Sequence, residues 1–250
     1  LHNFVELCMC PAPLGNEHTA KQLIRSMLPN GLEISEDVAG SAIVRKPGEK
    51  PGLTFFASLS QPVVLVTGKK SDGAWELQPL GTGKTLEPMN GWKVMDSGGA
   101  QAKLGVKDGA LRLTEDRGVQ IGSLLTRQPD WTQDVLSVSC AGIEDRVGCW
   151  LLTELLREMP DVKAEITCIF LAQEQHCTKV AELAMNETDA AVAIRLASAK
   201  VNDINLTGAP VNAGGGPVLK LRERYVSTDG RLMDLERMAC REAGVPFQYE

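Results

Sequence analysis

The spacing of hydrophobic positions changes along the chain, and each change predicts an element. Ala20, Leu23, Ile24, Met27 and Leu28 recur at helical spacing, so a helix is expected to start near Glu17, after Gly15-Asn16, and to stop at Pro29-Asn30-Gly31. Two strand-like runs follow, Ser41 to Arg45 and Leu53 to Ala57. The second is nearly all apolar, as expected of a strand buried on both faces. From about 61 to 136 the pattern breaks into short apolar runs between Gly, Pro, Asp and Thr. These runs are Val63–Val66, Trp75–Leu77, Trp92–Met95, Leu111–Leu113 and Val119–Ile121, and they predict a small β domain. Helical spacing returns at Val147 to Met159, with Trp150, Leu151, Leu155 and Leu156 on one stripe. A buried strand (Glu165 to Leu171), a helix (Thr178 to Met185) and another buried strand (Ala190 to Leu196) come next. Strands alternating with helices imply a mostly parallel sheet. The expected organisation is an α/β domain formed by 1–66 plus 137–250, interrupted by a β insertion at 67–136.

Composition narrows the classes of function. In 250 residues, 43 % are hydrophobic and 23 % charged, near the globular average, and the net charge is −6. An acidic balance gives no basic face for phosphate, so nucleic acid is not expected as a partner. No apolar run reaches 18 residues, the longest being strand-length stretches such as Pro62 to Val66, so no membrane partner is expected. The start, Leu1 to Phe4, lacks the basic and apolar regions of a signal peptide, and without an initiating Met it reads as trimmed. Cysteines stand at 8, 10, 140, 149, 168, 177 and 240, an odd number without a Cys-x-x-Cys pair. They read as reduced, mostly buried thiols of a cytoplasmic protein rather than a disulfide framework or zinc knuckle.

Two Gly-rich stretches are expected to be turns. Gly81-Thr-Gly-Lys-Thr85 resembles the tail of a phosphate loop, but the motif needs Gly where Gln78 stands, and Pro79 and Pro88 flank it. Gly214-Gly-Gly216 reads as a flexible loop. There is no Gly-x-Ser-x-Gly elbow to supply a serine nucleophile. Acidic groups concentrate in Gly142-Ile-Glu-Asp-Arg-Val-Gly148 and Leu171-Ala-Gln-Glu-Gln175. Glu144 and Asp145 lie just before a predicted helix, whose dipole favours negative charge there. Glu174 ends a predicted buried strand, and in α/β sheets ligands sit at the carboxyl ends of strands. Each motif taken alone also fits a helix cap or a solvated strand end.

Taken together and in order, these segments resemble the glutamyl-aminopeptidase and tetrahedral-aminopeptidase family of two-metal peptidases. Leu7 to Glu17 is similar to that family's opening Pro-Gly-Ser-Gly-x-Glu segment, and Asp37-Val-Ala-Gly40 to its Asp-x-x-Gly-Asn turn. Gly142 to Cys149 resembles its Asp-Asp-Arg-x-Gly-Cys segment, Leu171 to Gln175 its Val-Gln-Glu-Glu, and Ala190 to Leu196 its Ala-x-Ala-Val-Asp-Val strand. Gly214 to Pro217 resembles Gly-x-Gly-Pro, and Ala243 to Gln248 resembles Gly-Ile-Pro-x-Gln. The resemblance implies a three-layer α/β/α domain with a mostly parallel sheet and a small β-barrel-like insertion. It also implies removal of N-terminal residues from peptides, zinc or cobalt as cofactor, and a homo-oligomer.

Carried over residue by residue, the resemblance implies a damaged metal site. Ser58 stands where a metal His belongs, and Ser60 where an orienting Asp belongs. Glu144 replaces the bridging Asp with a longer side chain. Asp145 and Arg146 match. Glu174 keeps the general-base position, Gln175 replaces a ligand Glu, and Arg195 replaces a ligand Asp. The family's late His follows Gln248, in a C-terminal portion missing from these 250 residues. Hydroxyl, amide and guanidinium are poor or impossible ligands for zinc or cobalt. The expected function is therefore an aminopeptidase relative that is inactive or strongly impaired, holds no metal, and binds a peptide or protein partner. Two alternatives stand beside it: a working enzyme with an altered metal site that uses Glu174 as base, and a structural subunit of an oligomer. Arg195 is expected to enter the emptied pocket and pair with Glu144 and Glu174, or else to point into solvent. His176 and Cys177 are a further candidate pair of substitute ligands.

Overall fold

The computed structural model describes residues 2–81, 87–199, 201, 211–223 and 226–250, so most of the phosphate-loop-like stretch at 81–85 lies outside the described residues. The chain forms two compact units, Leu1–Ala197 and Ser198–Glu250.

In the first unit, helices α1 (His2–Met9) and α2 (His18–Met27) precede strands β1 (Glu33–Glu36), β2 (Ala42–Lys46) and β3 (Glu49–Ser58). An antiparallel section follows: β4 (Val63–Lys69), β5 (Trp75–Leu80), β6 (Lys93–Met95), β7 (Gln101–Lys107), β8 (Ala110–Arg117) and β9 (Leu124–Arg127). A short ribbon of β10 (Thr132–Gln133) and β11 (Val138–Ser139) leads into α3 (Ile143–Glu158), β12 (Ala164–Leu171), α4 (Lys179–Met185) and β13 (Ala190–Arg195).

The main sheet has the order β1-β2-β12-β3-β13. β12 and β13 both run parallel to β3, β2 runs antiparallel to β12, and β1 antiparallel to β2. Only β2 therefore opposes the common direction, and the sheet is mostly parallel. The alternation of side chains across a strand builds the layers. Ala42, Val44, Cys168 and Phe170 pack with Leu7, Ile24, Leu152 and Leu156 of α1, α2 and α3. The intervening Ile43, Ile169 and Leu171 pack with Ala184 of α4. Helices thus cover both faces, giving three layers.

The second sheet has the order β5-β4-β9-β6-β7-β8, and its core holds Val64, Val66, Val94, Leu104 and Leu125. Its end strands approach each other: Trp75 Nε1 on β5 donates to Asp116 Oδ2 on β8 at 3.1 Å. The sheet is barrel-like and nearly closed.

Some expectations change on folding. Among the described residues β13 is the last strand in its sheet, and Ala191, Ala193 and Arg195 are exposed, so it is not buried on both faces. Its apolar run reads like a central strand because small alanines fill the outer positions. Val119–Ile121 forms no strand: Ile121 is in the turn before β9 and is exposed. α3 begins four residues earlier than its hydrophobic stripe, so Glu144 and Asp145 lie inside its first turn.

The second unit contains β14 (Val218–Leu219), β15 (Arg222–Glu223), β16 (Val226–Ser227), α5 (Gly230–Glu242) and β17 (Gln248–Tyr249). Asp229 caps α5, its Oδ1 accepting from the Arg231 N–H at 2.8 Å. The 214–216 glycines are not a free loop. A Cβ on Gly216 would lie 1.7 Å from the Pro246 carbonyl oxygen, and one on Gly215 would meet the Gln248 side chain. Gln248 in turn accepts from the Asn212 N–H at 2.9 Å and donates to its carbonyl at 3.0 Å. All seven cysteines are free thiols; Cys177 is exposed. Among the described residues no helix is long and apolar enough to cross a membrane.

Candidate functional site

The carboxyl ends of β3, β12 and β13 lie side by side in the main sheet, and the N-terminus of α3 opens beside them. The order of the strands follows from the pairing of β3 with both partners. α3 approaches closely because Gly148 has no side chain. A Cβ there would stand 2.8 Å from the Leu196 carbonyl oxygen and 2.9 Å from Ala57 Cβ. Gly142, at φ 73°, makes the left-handed turn that starts the helix.

Glu174 follows β12 and is buried to 9 % exposure. Its Oε1 accepts a hydrogen bond from Arg195 Nη2 at 2.9 Å, and the Arg195 side chain remains 43 % exposed. Gln175 Nε2 donates to Asp145 Oδ1 at 2.6 Å. Asp145 is 6 % exposed, and its Oδ2 has no hydrogen-bond partner among the described residues. Burial pushes its carboxyl up to about 7; Glu144 and Glu174 add to the rise, while Arg146 opposes it. Ser58, at the end of β3, is also buried, and its Oγ lacks a partner. Glu144, in the first turn of α3, is exposed. Among the described residues, Arg195 pairs with Glu174 and not with Glu144. His176 and Cys177 are both exposed just beyond the site.

Arg146 is fully buried beneath the site. Its Nε donates to the Leu7 carbonyl at 3.1 Å, its Nη2 to the Cys10 carbonyl at 3.3 Å, and its Nη1 to the Leu59 carbonyl. One guanidinium thus ties α1 and the end of β3 to the start of α3.

Two residues emerge that sequence reasoning did not assign to the site. Glu17 is the N-cap residue of α2 but makes no capping bond. Its Oε1 instead accepts from the Gly15 N–H at 2.9 Å, from the Gln173 N–H at 3.1 Å and from Ser60 Oγ. Gln173 has φ 56°, rare for a side-chain-bearing residue, and its Nε2 donates to the Ala39 carbonyl at 3.0 Å. Ser60 therefore serves to link Glu17 with the Gln173 backbone. An acid ahead of an amphipathic helix reads as a cap, so sequence alone conceals Glu17; its place in the resembling Leu7 to Glu17 segment is the available signal.

The side chains converging here do not fit two divalent ions. A guanidinium already sits against Glu174, Ser58 and Gln175 bring a hydroxyl and an amide, Asp145 is hydrogen-bonded to Gln175, and Glu144 is exposed. Among the described residues no group of three or more His, Cys, Asp or Glu is placed to hold a metal.

A three-layer α/β domain with a barrel-like antiparallel sheet is the architecture of the tetrahedral aminopeptidases. The structure aligns with the TET aminopeptidase from the marine sediment archaeon Thaumarchaeota archaeon SCGC AB-539-E09 at a TM-score of 0.88, with 17 % identity, over 100 % of this chain and 80 % of that one. It aligns with the Pyrococcus horikoshii TET1 peptidase at 0.82, with 19 % identity, over 99 % and 83 % of the two chains. The sequence profile of the M42 glutamyl aminopeptidase family matches residues 109–250, and the chain belongs to that family. A curated protein of Acetivibrio thermocellus, named "Putative aminopeptidase", is 23 % identical over 261 residues, spanning 94 % of this chain and 77 % of that protein.

Proposed function

We propose that this chain is an M42-family protein whose strand-end site has exchanged metal chemistry for an internal ion pair, and that it hydrolyses peptides weakly or not at all. The observation that carries this reading is the 2.9 Å contact between Arg195 Nη2 and Glu174 Oε1. Arg195 places a permanent positive charge against the carboxylate that a metal-bound water would need as its base. Gln175, turned toward Asp145, and the hydroxyl of Ser58 supply no further anionic ligand. Under this reading Glu174, Glu144, Ser58, Ser60, Gln175 and Arg195 are the altered remnant of a catalytic centre, with Asp145 and Arg146 as its support. The six-stranded antiparallel sheet supports reading the section expected at 67–136 as an insertion, with its first strand already starting at Val63. The protein acts in the cytoplasm by binding a peptide or protein, assembled with copies of itself. The P. horikoshii TET1 peptidase, described as able to assemble into a tetrahedron or a large octahedral shell, supports the assembly.

Metal analysis and a peptidase assay on one purified preparation test the proposal. The expected result is zinc, cobalt and manganese far below one per chain and no release of N-terminal residues from a panel of peptides. Near-stoichiometric metal together with such release overturns it.

A further inference from the structure

The same strand-end site holds polar groups that the ion pair leaves unused. Arg195 faces Phe56 across the β13–β3 pairing, and Ser58 lies two residues further along β3. Side chains two apart on a strand share a face, so Arg195 and Ser58 stand on the same side of the sheet. Only Nη2 of Arg195 has a partner among the described residues, and the side chain is 43 % exposed. Ser58 Oγ and Asp145 Oδ2 are more than nine-tenths buried and unpartnered. A buried polar atom without a partner carries a desolvation cost that a bound group recovers. Donors (Arg195, Ser58) and acceptors (Glu174, Asp145) thus meet at the carboxyl ends of the strands.

Resting on the metal-free reading above, we propose that this site binds a free α-amino acid, its carboxylate on Arg195 and Ser58 and its ammonium on Glu174 and Asp145. The Arg195–Glu174 pair is net neutral and carries both signs, so it matches a zwitterion better than an anion or a cation alone. A guanidinium takes a carboxylate through two parallel N–H bonds, and Arg195 has nitrogens free for it. Glu174 exchanges one partner for another of equal charge. The site is then a sensor or sink for single amino acids rather than a cutter of peptides.

Calorimetric titration and thermal shift in EDTA, with the standard free L-amino acids one by one, test this. At least one is expected to bind and raise the melting temperature. Its α-carboxamide and its N-acetyl form, each missing one charge, are expected to bind at least about tenfold more weakly. Arg195→Ala is expected to abolish binding. Ser58→Ala, a smaller change that keeps the fold, is expected to weaken it severalfold. Equal binding of the amide or the N-acetyl form overturns the proposal. So does the absence of any binding in protein that neither holds metal nor cleaves peptides, and in that case the metal-free reading stands. Binding that appears only after zinc or cobalt is added overturns both.

Discussion

Asp145 shows how burial outweighs the local field. It sits in the first turn of α3, where the helix dipole favours its anion, and Arg146 is adjacent, yet its carboxyl rises from 3.8 to about 7. A carboxyl that holds its proton more tightly when folded loses stability as pH rises from the unfolded value through the folded one. Between about pH 4 and pH 7 the protein is therefore expected to lose stability on this account, with the full cost present above pH 7. Asp145→Asn keeps the acceptor for Gln175 and removes the charge. Urea denaturation should show the variant more stable than the parent at pH 8, with the gap closing toward pH 4. Arg146 is the opposite case, a buried cation satisfied by three carbonyls. Arg146→Met strips donors from all three and is expected to cost about 3–5 kcal/mol in the same experiment. The identities of Asp145 and Arg146 are plain in the sequence as a charged trio after Gly142. That one is buried with a displaced proton and the other stitches α1 to β3 is invisible there, because Arg146 reaches carbonyls more than 80 residues away and Asp145 meets Gln175 only across the folded sheet end.

At the scale of elements, two glycines decide how α3 meets the sheet. Gly148→Ala would press a methyl group against Leu196 and Ala57 at 2.8–2.9 Å. It is expected to cost about 1–3 kcal/mol by urea denaturation, because the backbone of β13 cannot yield as a flexible side chain does. Gly142→Ala combines a left-handed φ of 73° with a clash at 2.1 Å against Gln61, which itself joins the Ala12 N–H to the Ala141 carbonyl. It should fall in the same range and loosen the first turn, read as faster amide exchange at Asp145 and Arg146 than in Gly148→Ala. The elements whose hydrophobic period is long were legible: α2, β12 and α4 stand where the pattern puts them. α1 is short, eight residues at the start of the chain, and β7 alternates Ala102, Leu104 and Val106 with Gln101, Lys103, Gly105 and Lys107, so a search for contiguous apolar runs passes over both. Ile121 imitates a strand residue because an apolar side chain in a turn looks like one when only its neighbours in sequence are seen.

For the whole molecule, the response to chelation separates a metalloprotein from a metal-free one. A ligand that binds only the folded state stabilises it by mass action, so a metalloprotein loses melting temperature in chelator. EDTA is expected to leave the melting temperature of this protein unchanged, and a drop of several degrees restored by zinc or cobalt would contradict the proposed function. Light scattering on the eluting protein is expected to give a mass that is a multiple of the 27.0 kDa chain.

By itself the sequence determined the class of fold, since the alternation of strand and helix periods around a Gly-rich β section admits few packings. It also placed Ser58, Gln175 and Arg195 where the resemblance expects ligands, because order and spacing survive without any knowledge of contacts. Only the tertiary structure decided which charges meet. Arg195 turns to Glu174 and leaves Glu144 at the surface, Gln175 turns to Asp145, and Glu17 leaves its helix to hold Ser60 and Gln173. The reason is physical: a charge finds its partner by distance and burial, and both are set by the register of β3 with β12 and β13, which pairs residues far apart in the chain.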